Sequence, residues 1–249
     1  MPRGFADFGL NPNNVGQYSG DSGELAVRLG SFDTLERRGH VIWYDDMKNA
    51  MYQYQQSLYG TATVKYLLDY GHLNGVSLTF TPDVVAVGGC DVRSGAPLLT
   101  MSKVGFEFLI RPHKDGVQTA TVFDWAIEIY LGLTYQHYHF RLDPNTAIFS
   151  LWRAPGGGGT QTTIFTSPYP TYTAFQDRGF SYIKVVVDPT LVRFDRIVYN
   201  TLGAGLTAYG GCTDVSVSRP RIEILLAAAG NNDKLPVNIS YPIVTIDEP

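Results

Sequence analysis

Two histidines, His137 and His139, have the type and spacing to bind a metal ion. Residues two apart in a β-strand point to the same side, so both imidazoles would project together, and a carboxylate from a neighbouring strand, Glu107 or Glu128, could join them. Arg141 rather than a glutamate follows the pair. We therefore predict a hydrogen-bonded strand face here, with no metal and no cofactor.

Two carboxylates, Asp124 and Glu128, raise the question of glycoside hydrolysis. Retaining glycosidases need two carboxyl groups about 5 Å apart. Four residues of extended strand separate these two by about 13 Å, although they share a face. The sequence also has no nucleophile elbow and no P-loop, and the glycine run 156–159 lacks the residues that continue a phosphate cradle. We predict no catalytic residues and no enzymatic activity.

Aromatic side chains offer a third kind of chemistry, stacking on sugar rings or on protein partners. Two of them, Tyr169 and Tyr172, lie in a proline-rich loop and are the better candidates for contacts with a partner. Other aromatic candidates are Tyr130, Tyr135, Tyr138 and Trp152, and for Trp152 a core position is at least as good an interpretation. The predicted ligand-binding residues are Glu128, His137, His139, Arg141, Tyr169 and Tyr172.

The elements that must position these residues lie in the stretch 104–143, where three alternating runs follow one another. In each run an apolar set alternates with a polar set, which is typical of antiparallel strands with one packed side and one wetter side. We predict a meander of three neighbouring strands, with the candidate residues on the wetter side. The apolar sets are Phe106, Phe108 and Ile110, then Trp125, Ile127 and Ile129, then Tyr138, Phe140 and Leu142.

The rest of the chain adds short strands and one helix. Asp45 and Asp46 can cap a helix over 47–59 that ends at Gly60. The runs 180–188 and 192–200 are predicted to pair as a hairpin across Pro189 and Thr190. Regularly spaced strands with a single helix favour an all-β fold, a two-sheet antiparallel jelly-roll sandwich with one short helix.

Composition bounds the function further. The 249 residues suit one main domain over 40–249, preceded by a polar segment, 1–39, that we predict to be an extended arm. A net charge of −4 gives no basic footprint for nucleic acid, and no apolar run suits a signal peptide or a membrane span. The pairing of Cys90 and Cys212 cannot be deduced from sequence, and two buried thiols are favoured over a disulfide.

Five segments in order carry a resemblance: Trp43 to Met47, Gly105 to Phe108, Tyr138 to Asp143, Tyr182 to Asp188, and the strand Arg196 to Asn200 after it. Over about Val41 to Ile246 this order resembles the concanavalin A-like lectin and laminin G-like jelly rolls. The resemblance implies a curved sheet whose concave face binds a glycan. The arm and the low charge also resemble the decoration or minor capsid proteins of tailed-phage particles.

These observations predict a non-enzymatic structural or binding protein, a subunit of a symmetric assembly such as a phage virion. Its partners are expected to be other protein subunits, contacted through residues 1–39, and neither nucleic acid nor a membrane. The alternatives are a carbohydrate-binding module with a glycan as partner and, less favoured, a glycoside hydrolase. The expected location is the virion, with the cytoplasm as the alternative, and no signal peptide is expected.

Overall fold

A computed structural model describes most of the patterned region of the chain. The described residues are 39–45, 54–58, 61–68, 76–81, 89–98, 101–112, 122–143, 148–152, 161–166, 181–199, 202–229 and 237–249. The predicted arm falls outside them except for Gly39, so its boundary and its contacts stay predictions.

The described strands form two antiparallel sheets, as the sequence predicts. Sheet A runs in the order β13, β12, β11, β6, β16, β4, β3, with β1 also on β16, and sheet B in the order β10, β9, β8, β7, β15, β5, β2, with β14 also on β8. The strands of sheet A are β1 (His40–Tyr44), β3 (Thr63–Leu68), β4 (Val76–Thr81), β6 (Val104–Pro112), β11 (Ser181–Asp188), β12 (Arg193–Tyr199), β13 (Leu202–Gly205) and β16 (Val237–Ile246). The strands of sheet B are β2 (Gln55–Leu58), β5 (Gly89–Pro97), β7 (Val122–Tyr130), β8 (Thr134–Asp143), β9 (Ile148–Trp152), β10 (Gln161–Thr166), β14 (Cys212–Val215) and β15 (Arg221–Ala229).

The core lies between the sheets and is built from the predicted apolar faces. Trp125 of β7 stacks on Phe140 of β8 at 5.6 Å between ring centroids and meets Phe108 of β6 edge-on at 5.4 Å. These rings are fully or almost fully buried. Offset and edge-to-face aromatic pairs at such distances stabilise a core beyond their buried area, so Trp125 joins the two sheets.

The predicted three-strand meander is wrong for its first strand. β6 lies in sheet A between β11 and β16, whereas β7 and β8 are neighbours in sheet B. The prediction of which side of β6 packs into the core is nevertheless right, because Phe106 and Phe108 are buried. Alternation reports which side of a strand is buried and carries no information on which sheet the strand joins.

The predicted helix over 47–59 is wrong where the structure describes it. Residues Gln55–Leu58 form β2, which pairs with β5. A short helix in isolation is marginal, while the edge of β5 offers hydrogen bonds to every second residue of β2. The rest of the predicted helix lies outside the described residues. In the part of the chain that the structure describes, no helix is long and apolar enough to cross a membrane.

Two further predictions meet the structure. The hairpin is confirmed, because β11 pairs with β12 from Ile183 and Tyr199 to Asp188 and Arg193. Cys90 in β5 and Cys212 in β14 are separated by four strand spacings, about 19 Å along the sheet, which is too far for a disulfide. Cys212 is half-buried, and burial raises the pKa of its thiol.

Candidate functional site

The outer side of sheet B carries a continuous set of charged and aromatic side chains, which we call the polar face. Antiparallel register sets its residues side by side, since Glu128 lies opposite His137 on one neighbour and opposite Glu223 on the other. Asp124 likewise lies opposite Arg141. The polar face consists of Arg93 on β5, Asp124, Glu128 and Tyr130 on β7, Tyr135, His137, His139 and Arg141 on β8, and Arg221 and Glu223 on β15.

At one end of the polar face, Asp124 is held by an arginine and a histidine. Arg141 donates from Nε to Oδ1 at 2.6 Å and from Nη2 to Oδ2 at 2.8 Å, and His139 Nε2 lies 3.3 Å from Oδ1. Burial alone would raise the pKa of Asp124, but the hydrogen bonds from Arg141 and His139 outweigh it and lower that pKa. Asp124 is therefore a fixed anion at neutral pH.

In the middle of the polar face, Glu128 is the acceptor for three neighbours. Tyr130 donates to Oε2 at 2.8 Å, His137 Nδ1 lies 3.2 Å from Oε1, and Arg93 Nη1 lies 3.3 Å from Oε2. Burial acts to raise the pKa of Glu128, and these contacts lower it below the ordinary value. Glu128 is ionised at neutral pH like Asp124.

At the other end, Glu223 links two arginines. Arg221 donates from Nε and Nη2 to Oε2 at 2.9 and 2.7 Å, and Arg93 Nη1 lies 3.4 Å from Oε1. The Arg221 guanidinium also lies 3.9 Å from the ring centroid of Tyr130, which stacks on Tyr135. A cation over an aromatic face is favourable, so this corner of the polar face is fixed by several contacts at once.

Beside this corner is an open groove of about 410 Å³. Gly95 lies opposite Glu223 in the ladder, and a Cβ placed at Gly95 would have the Ile222 carbonyl oxygen, at 3.7 Å, as its nearest neighbour. The glycine therefore leaves space above the sheet. The groove is lined by Tyr54, Gln55, Arg93, Gly95, Arg221 and Glu223.

The predicted site residues are only partly brought together. Glu128, His137, His139 and Arg141 share the polar face, as predicted. Glu107 does not join them, because β6 lies in sheet A and its outer side is the opposite surface of the molecule. Tyr138 is in the core, and the side chain of Trp152, like Tyr169 and Tyr172, lies outside the described residues.

The side chains of the polar face are less exposed to solvent than the sequence predicts. Glu128 is 5% and His137 6% exposed. The reason is that charged neighbours in register cover one another, so each buried charge has a partner of opposite sign.

Three residues of the polar face were missed from the sequence: Arg93, Arg221 and Glu223. The spacing of Arg221 and Glu223 in an alternating run was the available signal. Arg93 lies in a glycine-rich stretch, 84–97, that reads as a loop or bulged strand, and its face cannot be assigned from such a pattern.

The described residues contain no group of three or more His, Cys, Asp or Glu side chains placed to hold a metal ion. His137 and His139 lie with ring centroids 5.5 Å apart and planes at 88°, each against a different carboxylate.

Several solved structures share this architecture at low sequence identity. The endo-β-1,4-glucuronan lyase of the fungus Trichoderma reesei is 12% identical, with a TM-score of 0.54 over 83% of this chain and 96% of its own. The carbohydrate recognition domain of Emp47p is 10% identical, with a TM-score of 0.51 over 84% and 97%. The Ca²⁺-bound exoplasmic/lumenal domain of VIP36 is 10% identical, with a TM-score of 0.50 over 78% and 83%.

The chain has a lectin-type jelly-roll fold. The resemblance seen in the sequence is thereby confirmed for the fold, and at this identity for the fold alone. No protein-family model and no curated protein sequence matches the chain. The fold is shared by a domain named for carbohydrate recognition and by a glucuronan lyase, so the side chains of the polar face must carry the argument about function.

Proposed function

We propose that the chain is a non-enzymatic glycan-binding module whose ligand lies on the polar face. The observation that carries this proposal is the groove at Gly95, beside paired arginine and carboxylate groups. Sugar hydroxyls both donate and accept hydrogen bonds, and guanidinium and carboxylate groups held at fixed spacing supply both partners. Since these side chains are already fixed by their contacts, little conformational entropy is lost on binding.

The charge balance favours a neutral glycan. Arg93, Arg141 and Arg221 contact the carboxylates of Glu128, Asp124 and Glu223, so the three cations meet three anions. An acidic glycan would need a cation that is not already neutralised, and it would be repelled by these carboxylates. We therefore propose ligands with uncharged hexose units.

The same contacts support a role without catalysis. Glycoside hydrolysis requires a carboxylic acid whose pKa is raised so that it stays protonated near neutral pH. The pKa values of Asp124 and Glu128 are both lowered. Two carboxylates that are ionised at neutral pH suit binding and do not supply a general acid.

Filling the groove tests the proposal. Gly95→Phe places a ring in the groove without a backbone clash, and we expect at least a tenfold loss of affinity for any glycan found on an array of neutral and acidic glycans. Gly205→Phe is the matched control, because Gly205 is an exposed strand glycine in sheet A with no atom near its added Cβ. No binder on the array, or equal affinity in Gly95→Phe, would refute the proposal.

A second role, subunit of a symmetric assembly such as a phage particle, is favoured by a separate observation. Leu133, Val215 and Val217 are large apolar residues exposed at one edge of sheet B. Exposed apolar groups that lie together are typical of protein contact sites. In this second proposal the chain is a virion component, and the predicted arm lies on neighbouring subunits.

Deleting residues 1–38 tests the role of the arm. We expect the shortened chain to keep its melting temperature and its sheet-rich circular dichroism spectrum but to lose higher-order assembly in light scattering. Normal assembly of the shortened chain would show that the arm is not the contact.

A further inference from the structure

The edge of sheet B at β14 has outward-pointing backbone hydrogen-bonding groups that no other strand among the described residues takes up. β14 pairs with β8 from Cys212 and His137 to Val215 and Thr134. The ladder continues past β14, because Ser216 N–H donates to the Leu133 carbonyl at 3.0 Å and Ser218 N–H to the Gly132 carbonyl at 2.9 Å. The even-numbered residues of 212–218 therefore bond inward. The backbone groups of Thr213, Val215 and Val217 point away from the sheet.

Val215 and Val217 are also unusually exposed. Their side chains are 79% and 84% accessible, and residues two apart in a strand share a side. An edge strand with outward backbone groups and apolar side chains is a template for another strand. Among the described residues, β14 has β8 as its sole strand neighbour.

The sequence of this edge is self-complementary. Val215-Ser216-Val217 reads the same in both directions about Ser216. A contact across a two-fold axis must match a surface to itself, and an antiparallel pair is the arrangement in which a palindromic strand does so. The outward backbone groups belong to odd-numbered residues. They can therefore bond between two copies only in a register that sets odd-numbered residues of one copy opposite odd-numbered residues of the other.

We propose that a second copy of this chain pairs with this edge, antiparallel, with the two-fold axis at Ser216. Val215 of one copy then lies opposite Val217 of the other, and the four valines form one apolar cluster on the same side of the joined sheet. Asp214 lies opposite Ser218, where its carboxylate accepts a hydrogen bond from the hydroxyl. Sheet B continues from one copy into the other.

Asp214 sets the strength of this contact. Its Oδ1 accepts a hydrogen bond from the Val215 N–H at 2.7 Å, and that N–H is one of the groups the second copy needs. Pairing must displace the carboxylate, which then turns to Ser218 of the other copy. The interface is small and loses this local bond, so the dimer depends on concentration. This edge touches the polar face at Ser218, whose Oγ accepts a hydrogen bond from Arg221 Nη1, and the Ser218 hydroxyl can still donate its hydrogen to Asp214.

Disulfide trapping tests the register on the full chain. In Ser216→Cys the two new cysteines form a non-hydrogen-bonded pair with Cα atoms about 4.5 Å apart, within the range of a disulfide. Asp214→Cys is the matched control, because its two copies lie about 13 Å apart in the same register. We expect a covalent dimer on mild oxidation from Ser216→Cys and none from Asp214→Cys or from the unaltered chain.

Sedimentation of Val217→Pro supplies an independent measurement. Proline at 217 removes an outward N–H and no bond of the ladder with β8, so the variant should fold with an unchanged circular dichroism spectrum. We expect the dimer of the unaltered chain to be lost in Val217→Pro and kept in Leu58→Ser, since Leu58 is an exposed apolar residue on β2 at the other edge of sheet B. An unaltered chain that stays monomeric at the highest soluble concentration would overturn the proposal. So would a dimer unaffected by Val217→Pro, or equal cross-linking of both cysteine variants.

Discussion

The outer surfaces of the two sheets both carry buried charged side chains, but the surroundings of these side chains differ. On sheet A, Lys184 lies with Nζ 2.8 Å from Glu248 Oε1 and 3.7 Å from Glu107 Oε2, and Tyr182 donates to Glu107 at 2.6 Å. On sheet B, the polar face is bordered by an open groove. The difference is that the chain itself passes over the charges of sheet A.

The residues after β16 make this cover. The Glu248 side chain is fully buried, Arg196 Nη2 donates to its Oε2 at 3.0 Å, and the Pro249 carbonyl oxygen accepts from Lys103 and Arg196. Gly105 provides the space, because a Cβ there would lie 2.7 Å from Glu248 Oε1. Paired charges on an outward strand face thus stabilise the fold where backbone covers them, and where a groove lies beside them they form the surface for which we propose glycan binding.

Removing the cation of sheet A should have the largest effect on stability. Lys184→Met keeps the volume of the side chain but leaves Glu248 and Glu107 without Lys184 in a buried site. Breaking a buried ion pair from one side costs about 3–5 kcal/mol, so we expect a loss of that size in urea unfolding. Arg193→Met is the control. Its half-buried pair with Asp188, at 3.8 Å, is not part of the cover and should cost about 1 kcal/mol or less. Equal losses would show that the covered network is no different from a surface pair.

Replacing one glycine by alanine should lower the free energy of unfolding when the glycine is in sheet A and raise it when the glycine is in sheet B. Gly105→Ala forces Thr245 and Glu248 to move, and overpacking of this kind costs about 1–3 kcal/mol. Gly95→Ala meets no close atom and removes a flexible residue from a strand interior, so it should stabilise by about 0.5–1 kcal/mol. Thermal unfolding of the two variants checks both signs, and destabilisation by Gly95→Ala would show that the groove is not open.

Low pH should weaken the ionic contacts of the polar face and so lower the stability of the fold. The pKa values of Asp124 and Glu128 are lowered in the folded state, so their contribution is present above the ordinary carboxyl pKa of about 4 and is lost as pH falls through the lowered values. We expect the free energy of unfolding to fall below about pH 4. Asp124→Asn should cost about 1–2 kcal/mol at pH 7 and show a shallower fall in acid. A parallel fall in both proteins would exclude Asp124 as a source of the pH dependence.

The comparison of faces also shows what the sequence could predict. Alternation placed Phe106, Trp125 and Phe140 in the core and Glu128 and His137 on one outer face, because strand periodicity is a local property. It could not place β6 in sheet A, because sheet membership depends on contacts between distant segments. The helix prediction over 47–59 failed at Gln55–Leu58 for the same reason, since pairing with β5 outweighed local propensity.

The candidate site was predicted as far as single strands allow. His137, His139 and Arg141 were found because they alternate within one strand. Arg93 of β5 completes the contacts of Glu128 and also contacts Glu223 of β15, and a single sequence does not reveal the register that brings these strands together. The cover over sheet A was missed as well, because nothing in the sequence around Glu248 signals that its side chain enters a space left by Gly105.

The smallest expected effect concerns metal ions, and it tests whether the polar face is complete without one. The VIP36 domain that shares the fold was solved in a Ca²⁺-bound form. In the present chain His137 uses Nδ1 toward Glu128 and His139 uses Nε2 toward Asp124, so an ion shared by both rings would have to bind their other nitrogens, His137 Nε2 and His139 Nδ1. The described residues place no group of three His, Cys, Asp or Glu side chains there to hold such an ion. We expect a chelator of Ca²⁺ and Zn²⁺ to leave the melting temperature unchanged at pH 7. Metal ligands must be deprotonated, so a bound ion would instead make stability depend on both the chelator and pH. A stoichiometric metal in elemental analysis of the purified protein, lost in His137→Gln and kept in Arg93→Gln, would show that the histidine pair is a metal site.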